Sequence, residues 1–92
     1  MNERLEVVVY GRVQRVMFRD YAARKARRLG LVGEVKNLPD GTVRVVAEGV
    51  HPALEDLCAR LKHGSLFSRV DRLTCTWRLP TGEYKSFDIS YE

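Results

Sequence analysis

The sequence is poor in the residues that most enzyme chemistries require. Its 92 residues include only two histidines, two cysteines and one tryptophan. There is no HExxH run, no Ser/His/Asp grouping and no close Cys/His pair. Zinc hydrolysis and triad-type nucleophilic catalysis therefore have no residues to work with. Cys58 and Cys75 lack CxxC spacing, which argues against a zinc site or a disulfide framework and for a reducing, cytoplasmic setting. No stretch approaches the ~20 apolar residues of a membrane span. Met1-Asn2-Glu3-Arg4, leading into a run broken by Glu6, does not read as a signal peptide. Repeats, linkers and low-complexity segments are also missing.

What is present belongs to a small folded domain. Apolar residues make up 45% and charged residues 30%, which is the balance of a globular chain and not a disordered one. At this length there is room for one two-layer core that buries roughly 65% of the unfolded chain's surface. The charge is uneven. Residues 1–28 carry eight basic and three acidic side chains, whereas residues 29–92 carry eight and nine. The excess is densest from Arg12 to Arg28 and points to an anion met locally.

The hydrophobic pattern predicts the order of elements. Leu5–Tyr10 reads as a strand ended by Gly11, and Phe18, Ala22, Ala26 and Leu29 form the apolar stripe of a helix. Arg24, Arg27 and Arg28 occupy that helix's solvated face. Gly30 is placed to end the helix in the left-handed region, with Leu31 packing back. Val32–Leu38 and Thr42–Ala47 form a hairpin around Pro39-Asp40-Gly41, ended by Glu48-Gly49. A second helix has His51 as its cap and Pro52 in its first turn, carries Leu54, Leu57, Cys58 and Leu61 at helical spacing, and closes at His63-Gly64. Ser68–Leu79 alternates, with Leu73, Cys75, Trp77 and Leu79 on one side, and Ser86–Tyr91 is a last edge strand. The expected fold is α+β: a ferredoxin-like βαββαβ two-layer sandwich, with an antiparallel sheet and both helices on one face. Cys58, Cys75 and Trp77 read as packing residues, and the histidines as helix-end residues.

The stretch with chemical interest is Gly11-Arg12-Val13-Gln14-Arg15-Val16-Met17-Phe18-Arg19. It leaves a strand and opens a helix, where unpaired N–H groups and the helix dipole suit a phosphate, and arginine adds a bidentate fork. Residue chemistry alone favours an ordinary surface connector.

The run closely resembles the acylphosphatase signature G-x-V-Q-G-V-x-F-R. Asn37-Leu38-Pro39-Asp40-Gly41-Thr42-Val43, preceded by Gly33 and Val35, looks like that family's second motif, and Ala47-Glu48-Gly49 also fits. The resemblance extends from about Leu5 to Ser90 and implies a single acylphosphatase-like domain over residues 5–91. It implies hydrolysis of the carboxyl–phosphate bond of acyl phosphates without metal or cofactor. By position, Arg19 holds the phosphate, Asn37 orients the attacking water, and Arg15, Val16, Met17 and Phe18 bind substrate through loop amides. The partner it implies is a small-molecule acyl phosphate, with no nucleic acid or membrane, and the expected state is a monomer.

One position breaks the signature, since Arg15 stands where the motif has its second glycine. A glycine there serves positive φ or close approach to the anion, and an arginine held in the left-handed region costs ~1–2 kcal/mol. Its side chain either crowds the phosphate or swings outward as an added cation at the site mouth. The expectation is an intact site with lower turnover. Two other readings are weaker. One is a non-catalytic phosphate- or carbamoyl-phosphate-binding module. The other is an RNA-binding domain, against which the third strand has no aromatics and the RNP1 pattern is missing.

Overall fold

The computed structural model describes residues 2–91, so Met1 of the N-terminal lead-in lies outside the described residues. Seven elements follow in order: β1 (Asn2–Arg12), α1 (Phe18–Arg28), β2 (Val32–Asn37), β3 (Val43–Val50), α2 (His51–His63), β4 (Arg69–Arg78) and β5 (Phe87–Ser90). The strands form one sheet in the order β4-β1-β3-β2-β5. Every pairing is antiparallel except that of β5 with β2, which runs parallel, so the sheet is mixed at that edge. The segment after β4 crosses the sheet to reach β2 and enters it in the same direction.

Both helices cover one face. Strand alternation sends Leu5, Val7 and Val9 of β1, Val35 of β2 and Val43, Val45 and Ala47 of β3 into the core. There they meet Phe18, Ala22, Ala23 and Ala26 of α1 and Leu54, Leu57 and Leu61 of α2. Fully burying each such leucine stabilises the fold by roughly 1.5–3 kcal/mol. Helix α1 ends as its sequence implies. Gly30 has φ 73°, its N–H bonds Arg27 O, and the N–H of buried Leu31 bonds Ala26 O, a Schellman closure.

Several local expectations are corrected. Strand β1 does not end at Gly11 but continues through a bulge to Arg12. Gly11 has φ 132°, and a Cβ on it would lie 2.1 Å from Arg69 O, so only glycine fits between the strands. Strand β3 runs past Glu48-Gly49 to Val50, which is the N-cap of α2, so His51 is inside the helix. The His51 ring pairs with Glu3 and Glu55 and stacks on Trp77 at 4.6 Å between centroids. Cys75 and Trp77 do face the helix layer, opposite Val7 and Leu5, yet both are exposed. They sit on an edge strand that α2 covers only in part, and Leu79, beyond the strand's end, is in solvent. Arg27 is not merely solvated, because its Nε donates to Phe87 O at 2.9 Å and ties α1 to β5.

The other sheet face carries an ion network. Arg4 contacts Glu6, Glu48 and Glu83 at 2.9–3.2 Å, and Glu48 is 3% exposed. The two Glu48 oxygens also accept from the N–H groups of Thr81 and Gly82 and from the Thr81 hydroxyl. Burial pushes the Glu48 carboxyl up. The bonds from Thr81, Gly82 and Arg4 outweigh it and hold the group at about 2, below its ordinary 4.5. This network fastens the segment between β4 and β5 across the face on which an RNA-recognition module would stack bases.

Candidate active site

The connector from β1 to α1 is shaped by two left-handed residues, Arg15 with φ 63° and Met17 with φ 59°. Met17 is the N-cap of α1 and offers no side-chain cap. Among the described residues, the N–H groups of Arg15, Val16, Met17, Phe18 and Arg19 have no hydrogen-bond partner, while Tyr21 N–H closes on Met17 O. Alternating handedness turns backbone donors toward one concavity, and the helix dipole adds positive potential there. Phe18, 1% exposed, anchors this first turn in the core.

A cavity of about 420 Å³ lies against the connector, lined by Val13, Arg15, Met17, Phe18, Arg19 and Asp20 from this side. Asn37, Ile89 and Tyr91 line it from the sheet. Arg19 is set by the far edge of the fold. Its Nη1 donates to Ser90 O at 3.1 Å, and its guanidinium lies 4.8 Å from the Tyr91 ring centroid. Among the described residues neither Arg15 nor Arg19 forms an ion pair. Asp20, the one acidic residue in the lining, is turned to Arg24 at 3.0 Å.

Asn37 is the last residue of β2, on the face that carries Val35 into the core. Its Oδ1 is the one buried side-chain polar atom among the described residues that has no hydrogen-bond partner. An orphaned acceptor of this kind costs about 1–3 kcal/mol unless a donor arrives from the cavity. Gln14 fastens the two sides of the site. Its Nε2 donates to Leu38 O and Thr42 O, both at 2.8 Å, and so ties the connector to the β2–β3 turn. Asp40 closes that turn by accepting from the N–H and hydroxyl of Thr42, and those bonds lower its carboxyl below the usual range.

The chain has counterparts among known proteins. The sequence model of the acylphosphatase family matches residues 5–89. The chain belongs to the acylphosphatase family. An acylphosphatase of Frankia casuarinae is 48% identical over 79 residues, which are 86% of this chain and 89% of the relative. One from Thermus thermophilus is 49% identical over 86 residues, or 94% and 97% of the two chains. The crystal structure of acylphosphatase from Bacillus subtilis matches with a TM-score of 0.93 at 36% identity, over 99% of this chain and 100% of that one.

The acylphosphatase motif residues singled out in the sequence thus fall in one place. Arg15, Met17, Phe18, Arg19 and Asn37 share the cavity. Val16 does not line it. Val16 lies half-buried on the adjoining groove of about 220 Å³, with Met17, Leu66 and Phe67. Sequence reasoning missed the anchors. Gln14 was in the motif without a role, and its two carbonyl bonds could be read only from an unexplained polar residue in a tight loop. Ser90 and Tyr91 carry no local signal, because their contact with Arg19 spans 71 residues or more of sequence.

Proposed function

We propose that the acyl phosphate is cleaved in this cavity. Arg19 and the amides of residues 15–19 hold the phosphate, and Asn37 orients the attacking water. The chain hydrolyses acyl phosphates to a carboxylate and inorganic phosphate, as its family does. The leaving carboxylate is already a good one, so the site supplies position and charge instead of an acid or a metal. Arg19 offers a fork to the equatorial oxygens that gain charge as water attacks phosphorus. The proton of the water passes to the substrate itself, since an asparagine amide is a poor base. Ser90 O and the Tyr91 ring hold the guanidinium while leaving it without a competing carboxylate.

The observation that carries this reading is the unpartnered Asn37 Oδ1 beside Arg19 and the unpaired amides. It supports a water-orienting amide and a phosphate cradle around one volume. Arg15 sits at the mouth as an exposed second cation, and the acyl group leaves across Met17 toward the Leu66–Phe67 groove. The chain works as a monomer in the cytoplasm. Its two cysteines are free thiols, and among the described residues no helix is long and apolar enough to cross a membrane.

The test pairs turnover with anion titration. The chain is expected to hydrolyse benzoyl phosphate, and inorganic phosphate is expected to shift the amide NMR signals of residues 15–19. Phosphate shifts at those residues without hydrolysis would make it a binding module. Hydrolysis with no shift there would move the site elsewhere.

A further inference from the structure

Cys58 and Cys75 take no part in the chemistry above and lie on different elements, yet their Sγ atoms are 3.4 Å apart. We propose that they are a modification site: in the presence of a small-molecule disulfide they close into a reversible intrachain disulfide that staples α2 to the edge strand β4. Cys58 lies on the core-facing side of α2, between Leu54, Leu57 and Leu61. Cys75 lies opposite Val7, on the face of β4 turned toward that helix. A disulfide has its sulfurs about 2.05 Å apart, so the two need to approach by little more than an ångström. Strand β4 has a neighbour on one side only, which lets it yield.

Access is provided as well. The thiols border a cleft of about 290 Å³ between α2 and β4, with Lys62 and Trp77 on its walls. Cys75 is exposed and Cys58 half-buried, so the oxidant meets Cys75 first. The Cys75 thiolate attacks one sulfur of the small disulfide and expels one thiolate, leaving a mixed disulfide. Cys58 then loses its proton, attacks the Cys75 sulfur and expels the second thiolate. Two protein thiols lose two electrons and two protons, and the small disulfide becomes two thiols. The second step is slow at neutral pH. Burial pushes the Cys58 thiol up. Closure should therefore quicken as pH rises from 7 to 9.

The consequence falls on stability and not on turnover. Neither cysteine lines the cavity of the phosphate loop. The bond would close a loop between positions 17 residues apart, which restricts the unfolded chain.

The experiment treats the purified chain with oxidised glutathione at pH 7 to 9 and follows thiol content, intact mass and thermal unfolding. Both thiols are expected to disappear together, with loss of two hydrogens in mass and a Cys58–Cys75 cross-linked peptide. Tm is expected to rise by roughly 10 °C, reversed by dithiothreitol, with kcat/KM on benzoyl phosphate unchanged. Cys58→Ser and Cys75→Ser are each expected to abolish the rise. A stable glutathione adduct at Cys75 without closure, a cross-linked dimer, or a closed bond that leaves Tm unchanged or lower would overturn the proposal.

Discussion

The molecule holds two polar centres on opposite faces of one sheet, and they are built on opposite rules. Around Glu48 every oxygen is occupied. Arg4, two backbone N–H groups and a hydroxyl converge on one buried carboxylate. Around Arg19 and Asn37 the demands are left open, with five unpaired amides, a guanidinium without a carboxylate and one buried acceptor without a donor. A satisfied network rigidifies, whereas an unsatisfied one stores affinity for whatever completes it. The difference separates residues that hold the fold from those proposed to bind the substrate. Substitutions should split the same way, into losses of turnover and losses of stability.

The largest effect is expected at Arg19. Arg19→Ala should lower kcat/KM on benzoyl phosphate on the order of 10³-fold, because it removes the site's principal charge. Its Tm should change little, since within the fold the side chain meets only Ser90 O and the Tyr91 ring. A variant that kept most of the rate would break the contrast.

Asn37→Ala should cost about 100-fold in kcat if the amide orients water. Its Tm should hold or rise, because an unpartnered buried acceptor leaves with it. A clear fall in Tm would make Asn37 a structural residue instead.

Glu48 should behave in reverse. Glu48→Gln leaves Arg4 without its most buried partner and should lower Tm by roughly 10 °C while sparing kcat at low temperature. The pH dependence has a definite sign. A carboxylate held at about 2 in the fold and 4.5 when free contributes its stability above pH 4.5. That contribution is lost as pH falls from 4.5 toward 2. Thermal unfolding between those values should show a steep loss in the native chain and a shallower one in Glu48→Gln.

The smallest effect is expected at Arg15. Arg15→Gly relieves a left-handed arginine worth about 1 kcal/mol and should raise Tm by a few degrees and turnover several-fold. Equal rates would overturn the expectation that Arg15 lowers turnover.

Much of this was legible in the chain itself. The stripe Phe18, Ala22, Ala26 and the strand alternations specify the layers, because burying an apolar face is a local pattern with global force. The motif glycine left positive φ or close approach open at position 15, and the structure shows that Arg15 takes the positive φ. Cys75 and Trp77 were misread for one physical reason, whereas Cys58 packs against the core as its helix stripe implies. Alternation tells which way a side chain faces, but not whether a helix extends far enough to cover it, and at the edge strand β4 it does not.

Sequence alone therefore determined the order of elements and the glycine-marked C-terminal ends of both helices, all of which follow from residues close in the chain. Tertiary structure decided the rest. The end of β5 holds Arg19, Gln14 ties the connector to the β2–β3 turn, and Glu48 carries the crossing segment. Each is a bond between residues 24 or more positions apart, which no local pattern encodes and only the closed sheet brings within reach.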